Sequence, residues 1–168
     1  MKKTSDFNLG LSLAIALLSL ASVANAETAP ATYTVKPVFG EYQDWSLLAV
    51  SHREDKKTLR AILGNSAAIT AARHGRTKPW PDGAVLAKVA WKESKHPSWP
   101  QAIVPGAFEK AEAMIKDSKK YASTGGWGFA HWEGKNLVMF EEAKSKECFA
   151  CHTAVKDNDY VFTAAALQ

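Results

Sequence analysis

Both cysteines of this 168-residue chain fall in one five-residue segment, Cys148-Phe149-Ala150-Cys151-His152. No disulfide can therefore staple distant parts of the chain together, and the fold must rest on a hydrophobic core. Two thiols separated by two residues, followed at once by a histidine, are the arrangement that c-type haem attachment requires. The thiols can reach the two vinyl groups of one porphyrin and form thioethers, which brings the imidazole of His152 beneath the iron as an axial ligand. A thioredoxin-like redox pair needs a βαβ context, and none surrounds the motif. A zinc site needs a fourth ligand at close spacing, and none is offered. One haem held by Cys148, Cys151 and His152 is the expected cofactor.

The N-terminus agrees with that expectation. Lys2 and Lys3 give a positive start, Leu9 to Val23 form an apolar stretch, and Ala24-Asn25-Ala26 supplies small residues for cleavage. Residues 1–26 read as a signal peptide, 27–38 as a flexible lead-in rich in Ala, Thr and Pro, and 39–168 as the haem domain. The apolar stretch is too short to span a bilayer, so no membrane span is expected after processing. Export, with a periplasmic location, suits a chain whose haem is attached outside the cytoplasm. The net charge of +4 is spread along the chain with no arginine-rich arm, which argues against nucleic acid. It is compatible with an acidic redox partner protein.

The residues between predict a mixed α+β fold built on antiparallel hairpins. Tyr42 to Val50 and Thr58 to Leu63 are strand-like around a charged turn, so a hairpin is expected. Ser66 to His74 is Ala-rich and predicts a short helix capped by Ser66 and stopped by Gly75. Pro79 to Gly83 marks a turn into a strand over Ala84 to Lys92, with Val85, Ala87, Val89 and Trp91 on one face and Leu86, Lys88 and Ala90 on the other. Pro97, Pro100 and Pro105 predict an irregular loop. Ala107 to Tyr121 fits a helix by composition and a strand by alternation, with Ala111, Ala113 and Ile115 opposite Glu112, Met114 and Lys116. Trp127 to Trp132 predicts another strand and Asn136 to Lys146 a helix leading to the cysteines. The six tryptophans read as core or pocket walls.

The haem motif lies near the C-terminus, and neither Met nor His follows it. Met114, Met139 and His131 remain as candidate sixth ligands. Without one, the iron keeps an open face for a small ligand.

In these features the sequence resembles the cytochrome P-460 and cytochrome c′-beta family over about Phe39 to Thr163. The resemblance rests on Tyr42-Gln43-Asp44-Trp45, Pro81-Asp82-Gly83-Ala84-Val85 leading to Lys88, and Lys116-Asp117-Ser118. It continues through Gly125-Gly126-Trp127-Gly128-Phe129, the haem motif, and Asp159-Tyr160-Val161-Phe162-Thr163. It implies a largely antiparallel β fold with a few helices, a homodimer, one five-coordinate haem, and a strand over Ala111 to Asp117. One branch of the family oxidises hydroxylamine and bonds a lysine to a haem meso carbon; Lys88 falls at that position. Glu112 matches the distal carboxylate, a sensible general base whose pKa burial is expected to raise. Arg60 matches a hairpin position from which it can pair with a haem propionate or a distal anion. The other branch binds nitric oxide in an apolar pocket, for which Phe39, Phe108, Phe129 and Phe162 are candidate walls.

Overall fold

The computed structural model describes residues 41–167. The expected signal peptide and lead-in, and Phe39, lie outside the described residues. Six strands form one antiparallel sheet whose spatial order is its sequence order: β1 Ser46–Arg53, β2 Thr58–Gly64, β3 Val85–His96, β4 Trp99–Lys116, β5 Trp127–Glu133 and β6 Asn136–Met139. Helix α1, Ser66–Arg73, joins β2 to β3. Helix α2, Glu142–His152, follows β6 and runs into a 3-10 stretch, Thr153–Asn158. The α+β class with a dominant antiparallel sheet is as expected. Among the described residues, no helix is long and apolar enough to cross a membrane.

Period-two alternation gives the sheet two faces. On the first face, Leu86 pairs with Met114 and Met114 with Phe129. There the sheet packs against Ala68, Ile69 and Ala71 of α1, and against Trp80, Trp127 and Val161. The second face is made of small residues, Ala87, Val89, Ala111, Ala113 and Ala130, beneath Tyr42 and Trp132. Tyr42 meets Trp132 edge-on at 4.3 Å between ring centres. The strand expected over Ala111 to Asp117 forms as far as Lys116, and over Glu112 to Lys116 β4 lies between β3 and β5. Tertiary pairing overrides the helical composition.

Five local expectations are corrected. Tyr42 to Asp44, expected as strand, lie in a 3-10 turn, Glu41–Asp44, and β1 begins at Ser46. Pro100 and Pro105 lie within β4 rather than in a loop. Over that stretch β4 has only β3 beside it, since β5 pairs with Glu112 to Lys116 alone, and a proline is tolerated where one strand edge is open. Helix α1 is capped by Asn65, whose side-chain oxygen accepts from the Ala68 amide at 3.0 Å, and Ser66 is its first helical residue. The stretch 136–139 is a strand, with α2 starting only at Glu142. Trp99 is 63 % exposed at the tip of the β3–β4 hairpin, so it is no core residue.

Candidate functional site

The two thiols sit three residues apart in the last turn of α2, a spacing that sets side chains on the same helix face. Both are free; Cys148 is half-buried and Cys151 exposed. Burial pushes the Cys148 thiol up, with the Glu112 carboxylate adding to the effect and Lys144 and Lys88 opposing it. No residue of α2 is fully buried, although Cys148 and Phe149 pack against the core of the first face.

His152 ends the helix. Its Nδ1 lies 2.6 Å from the backbone carbonyl of Tyr160. A carbonyl only accepts, so the proton sits on Nδ1 and Nε2 is the lone-pair nitrogen. Burial lowers the imidazole pKa; the Tyr160 carbonyl and Glu112 work against that, and Lys88 works with it. The net result favours the neutral, ligating form. The ring stands between Phe129 at 5.5 Å and Phe162 at 5.1 Å, and Phe162 is itself 55 % exposed. Two thiols one turn apart, a neutral imidazole of defined tautomer and an uncovered aromatic ring beside it are a donor set that fits haem c.

The sheet brings the other candidates onto the same face. Lys88 of β3 pairs with Glu112 of β4, and Glu112 with His131 of β5, so the three form a row. Lys88 Nζ lies 2.5 Å from Glu112 Oε2, and Lys110 Nζ lies 3.1 Å from Oε1. Partial burial of Glu112 works to raise its pKa, as anticipated. The two ammonium groups outweigh it, however, and hold the carboxyl below its usual range. The expectation of a raised value is therefore corrected. Arg60, on β2, lies opposite Ala90, two residues along β3 from Lys88. It donates from Nε to Thr58 Oγ1 at 3.3 Å, and burial lowers its pKa while the Glu112 charge opposes that shift.

The candidate sixth ligands are dispersed. Met114 is packed between Leu86 and Phe129, and Met139 is exposed on β6. His131 stacks on Phe140 at 4.7 Å, and its Nε2 lies 2.9 Å from Glu133 Oε1. Of the phenylalanines named as candidate walls, of which at most one or two were expected to serve, two lie near His152 and one does not. Phe129 and Phe162 stand against the His152 ring, and Phe108 packs on the opposite face of the sheet.

Sequence reasoning did not assign a role to the Tyr160 carbonyl or to the pair Lys116–Asp159, whose side chains are 5 % and 10 % exposed. Asp159 and Tyr160 both adopt positive φ, 48° and 62°. Asp is enriched among the non-glycine residues that adopt that conformation, but Tyr gives no such signal.

Comparison of the chain with curated proteins finds no match. A protein-family model, Cytochrome P460, matches residues 40–163, a span that takes in all six strands, both helices and the Asp159–Tyr160 turn. With the motif, the histidine geometry and this match in agreement, the chain belongs to the Cytochrome P460 family and is a haem c cytochrome.

Proposed function

We propose that this protein is an exported cytochrome that oxidises hydroxylamine at a haem held by thioethers to Cys148 and Cys151, with His152 as the proximal ligand. The observation that carries the reading is the register that sets Lys88 opposite Glu112 on the first face of the sheet, the face against whose core Cys148 packs. When bound, the haem supplies a site for the substrate nitrogen and a conduit for its electrons to an external acceptor.

The chain's own residues do the rest. The Tyr160 carbonyl holds the His152 tautomer. Glu112, kept ionised by Lys88 and Lys110, is ready at neutral pH to take a proton from the substrate. Lys88 is the residue that would make the additional bond to the ring, and its ammonium brings Glu112 to the same place. Arg60, with its half-buried guanidinium, is suited to a propionate.

Turnover of hydroxylamine by the haem-loaded protein with an artificial oxidant tests this reading. Glu112→Gln should lose at least tenfold in kcat while keeping its haem mass and spectrum. Unchanged kcat would remove Glu112 as the base. A non-catalytic nitric oxide binder is the second reading. What favours it is that Lys88 Nζ is held by a carboxylate and not free. It predicts rapid nitrosyl formation on the ferrous protein and negligible hydroxylamine oxidation.

A further inference from the structure

The Lys116–Asp159 pair is placed where stability alone does not explain it. Lys116 Nζ donates to Asp159 Oδ1 at 2.8 Å, to Oδ2 at 2.9 Å and to the Gly125 carbonyl at 3.2 Å. It also lies 4.9 Å from the centre of the Trp127 ring. Asp159 Oδ2 accepts in addition from the Trp80 amide at 2.8 Å, and the Asp159 carbonyl from Trp127 Nε1 at 2.8 Å. Every proton of the buried ammonium is thus used. A buried ion pair is nevertheless a weak stabiliser compared with apolar side chains of the same volume.

What the pair holds is a strained turn. Asp159 and Tyr160 are consecutive non-glycine residues in the left-handed region, a conformation that persists only where its surroundings over-determine it. Four contacts from β4, β5 and the loop before β3 converge on Asp159, and the Tyr160 ring lies directly over Gly125, where a Cβ would meet it at 2.3 Å. The product of that turn is the aim of one atom: the Tyr160 carbonyl, 2.6 Å from His152 Nδ1.

We infer that Lys116 and Asp159 are positioning residues for the axial histidine, and set the electron density on its imidazole by holding the Tyr160 carbonyl in line with Nδ1. The inference rests on the reading of His152 as the proximal ligand. A well-aimed carbonyl acceptor makes the imidazole a stronger donor and stabilises the ferric state; a loosened one does the opposite.

The test uses haem-loaded Lys116→Met and Asp159→Asn, with the iron–histidine stretching band of the ferrous protein and the midpoint potential as readouts. Asp159→Asn keeps the shape of the side chain, so the inference remains testable should Lys116→Met fail to accumulate. Through-space charge loss alone would lower the potential in Lys116→Met and raise it in Asp159→Asn. Positioning predicts that both variants raise the potential and move the stretching band to lower frequency. Asn65→Ala, which removes the cap of α1, is the control for destabilisation and should leave both readouts at the wild-type values. Potentials that shift in opposite directions, or a band unmoved while melting temperature falls, would overturn the inference. A wild-type protein with no iron–histidine band would instead remove His152 as the ligand, which is a separate failure.

Discussion

Replacing Gly125 by alanine probes the same turn from its other side, and the structure supplies its own control. Gly125 and Gly134 share nearly one backbone conformation, φ 65° and φ 60°. The left-handed penalty of about 1–2 kcal/mol for a residue with a Cβ therefore applies to both. They differ in their surroundings. A Cβ on Gly134 meets nothing within 4 Å, whereas one on Gly125 falls 2.3 Å from Tyr160 Cε2 and 2.7 Å from Cζ. The ring must move, and overpacking of that kind costs about 1–3 kcal/mol beyond the backbone term. At about 4 °C per kcal/mol for a domain of this size, Gly125→Ala should melt about 4–12 °C below Gly134→Ala. Thermal unfolding of the two haem-loaded variants, followed by circular dichroism under one set of conditions, gives the difference directly. Equal melting temperatures would refute the reasoning, since they would mean that the Tyr160 ring is not fixed over Gly125.

Three further outcomes are expected. Asn65→Ala should cost about 1–2 kcal/mol in urea unfolding, since Asn65 Oδ1 serves both the Ala68 and the Val85 amides. Lys116→Met should cost about 3–5 kcal/mol by the same measurement, because it leaves Asp159 charged, buried and without its main partner. Glu112 has a folded pKa below its unfolded value of about 4.3, so its contribution is fully present above that pH and lost as pH falls through the folded value. Urea midpoints measured from pH 6 to pH 3 should therefore fall less steeply in Glu112→Gln than in the wild type.

Much of the sheet is legible in the sequence because alternation is a local signal. The faces of β3 were readable from Val85 to Trp91, and Lys88 lies on the side that the pattern gives it. Composition misleads where a residue's environment is set from afar. Ala, Glu and Met along 111–115 favour helix until two neighbouring strands claim them. Prolines forbid a strand until an open edge admits them. Of the candidate site, the thiols and His152 stand out in the sequence because haem attachment demands adjacent residues. The electrostatic state of Glu112 was only partly legible, since Lys110 neighbours it along β4 but Lys88 reaches it only once β3 and β4 are in register. The string Asp159-Tyr160 carried part of the resemblance, but its backbone conformation was not legible, because partners more than thirty residues away impose it.

The sequential strand order bears on how the protein is made. Each strand of the sheet pairs with its neighbour in the chain, so the sheet can grow hairpin by hairpin with little loop-closure entropy at any step. The segment after α2 is different. Asp159 reaches back to Trp80 and Lys116, and the Ala166 amide donates to the Leu48 carbonyl at 2.8 Å, at the opposite end of the domain. These contacts close far longer loops than the strand pairings of the sheet do, and they should close late. His152 gains its carbonyl partner from that segment, so the imidazole tautomer is fixed only when the tail docks on a sheet that is already built.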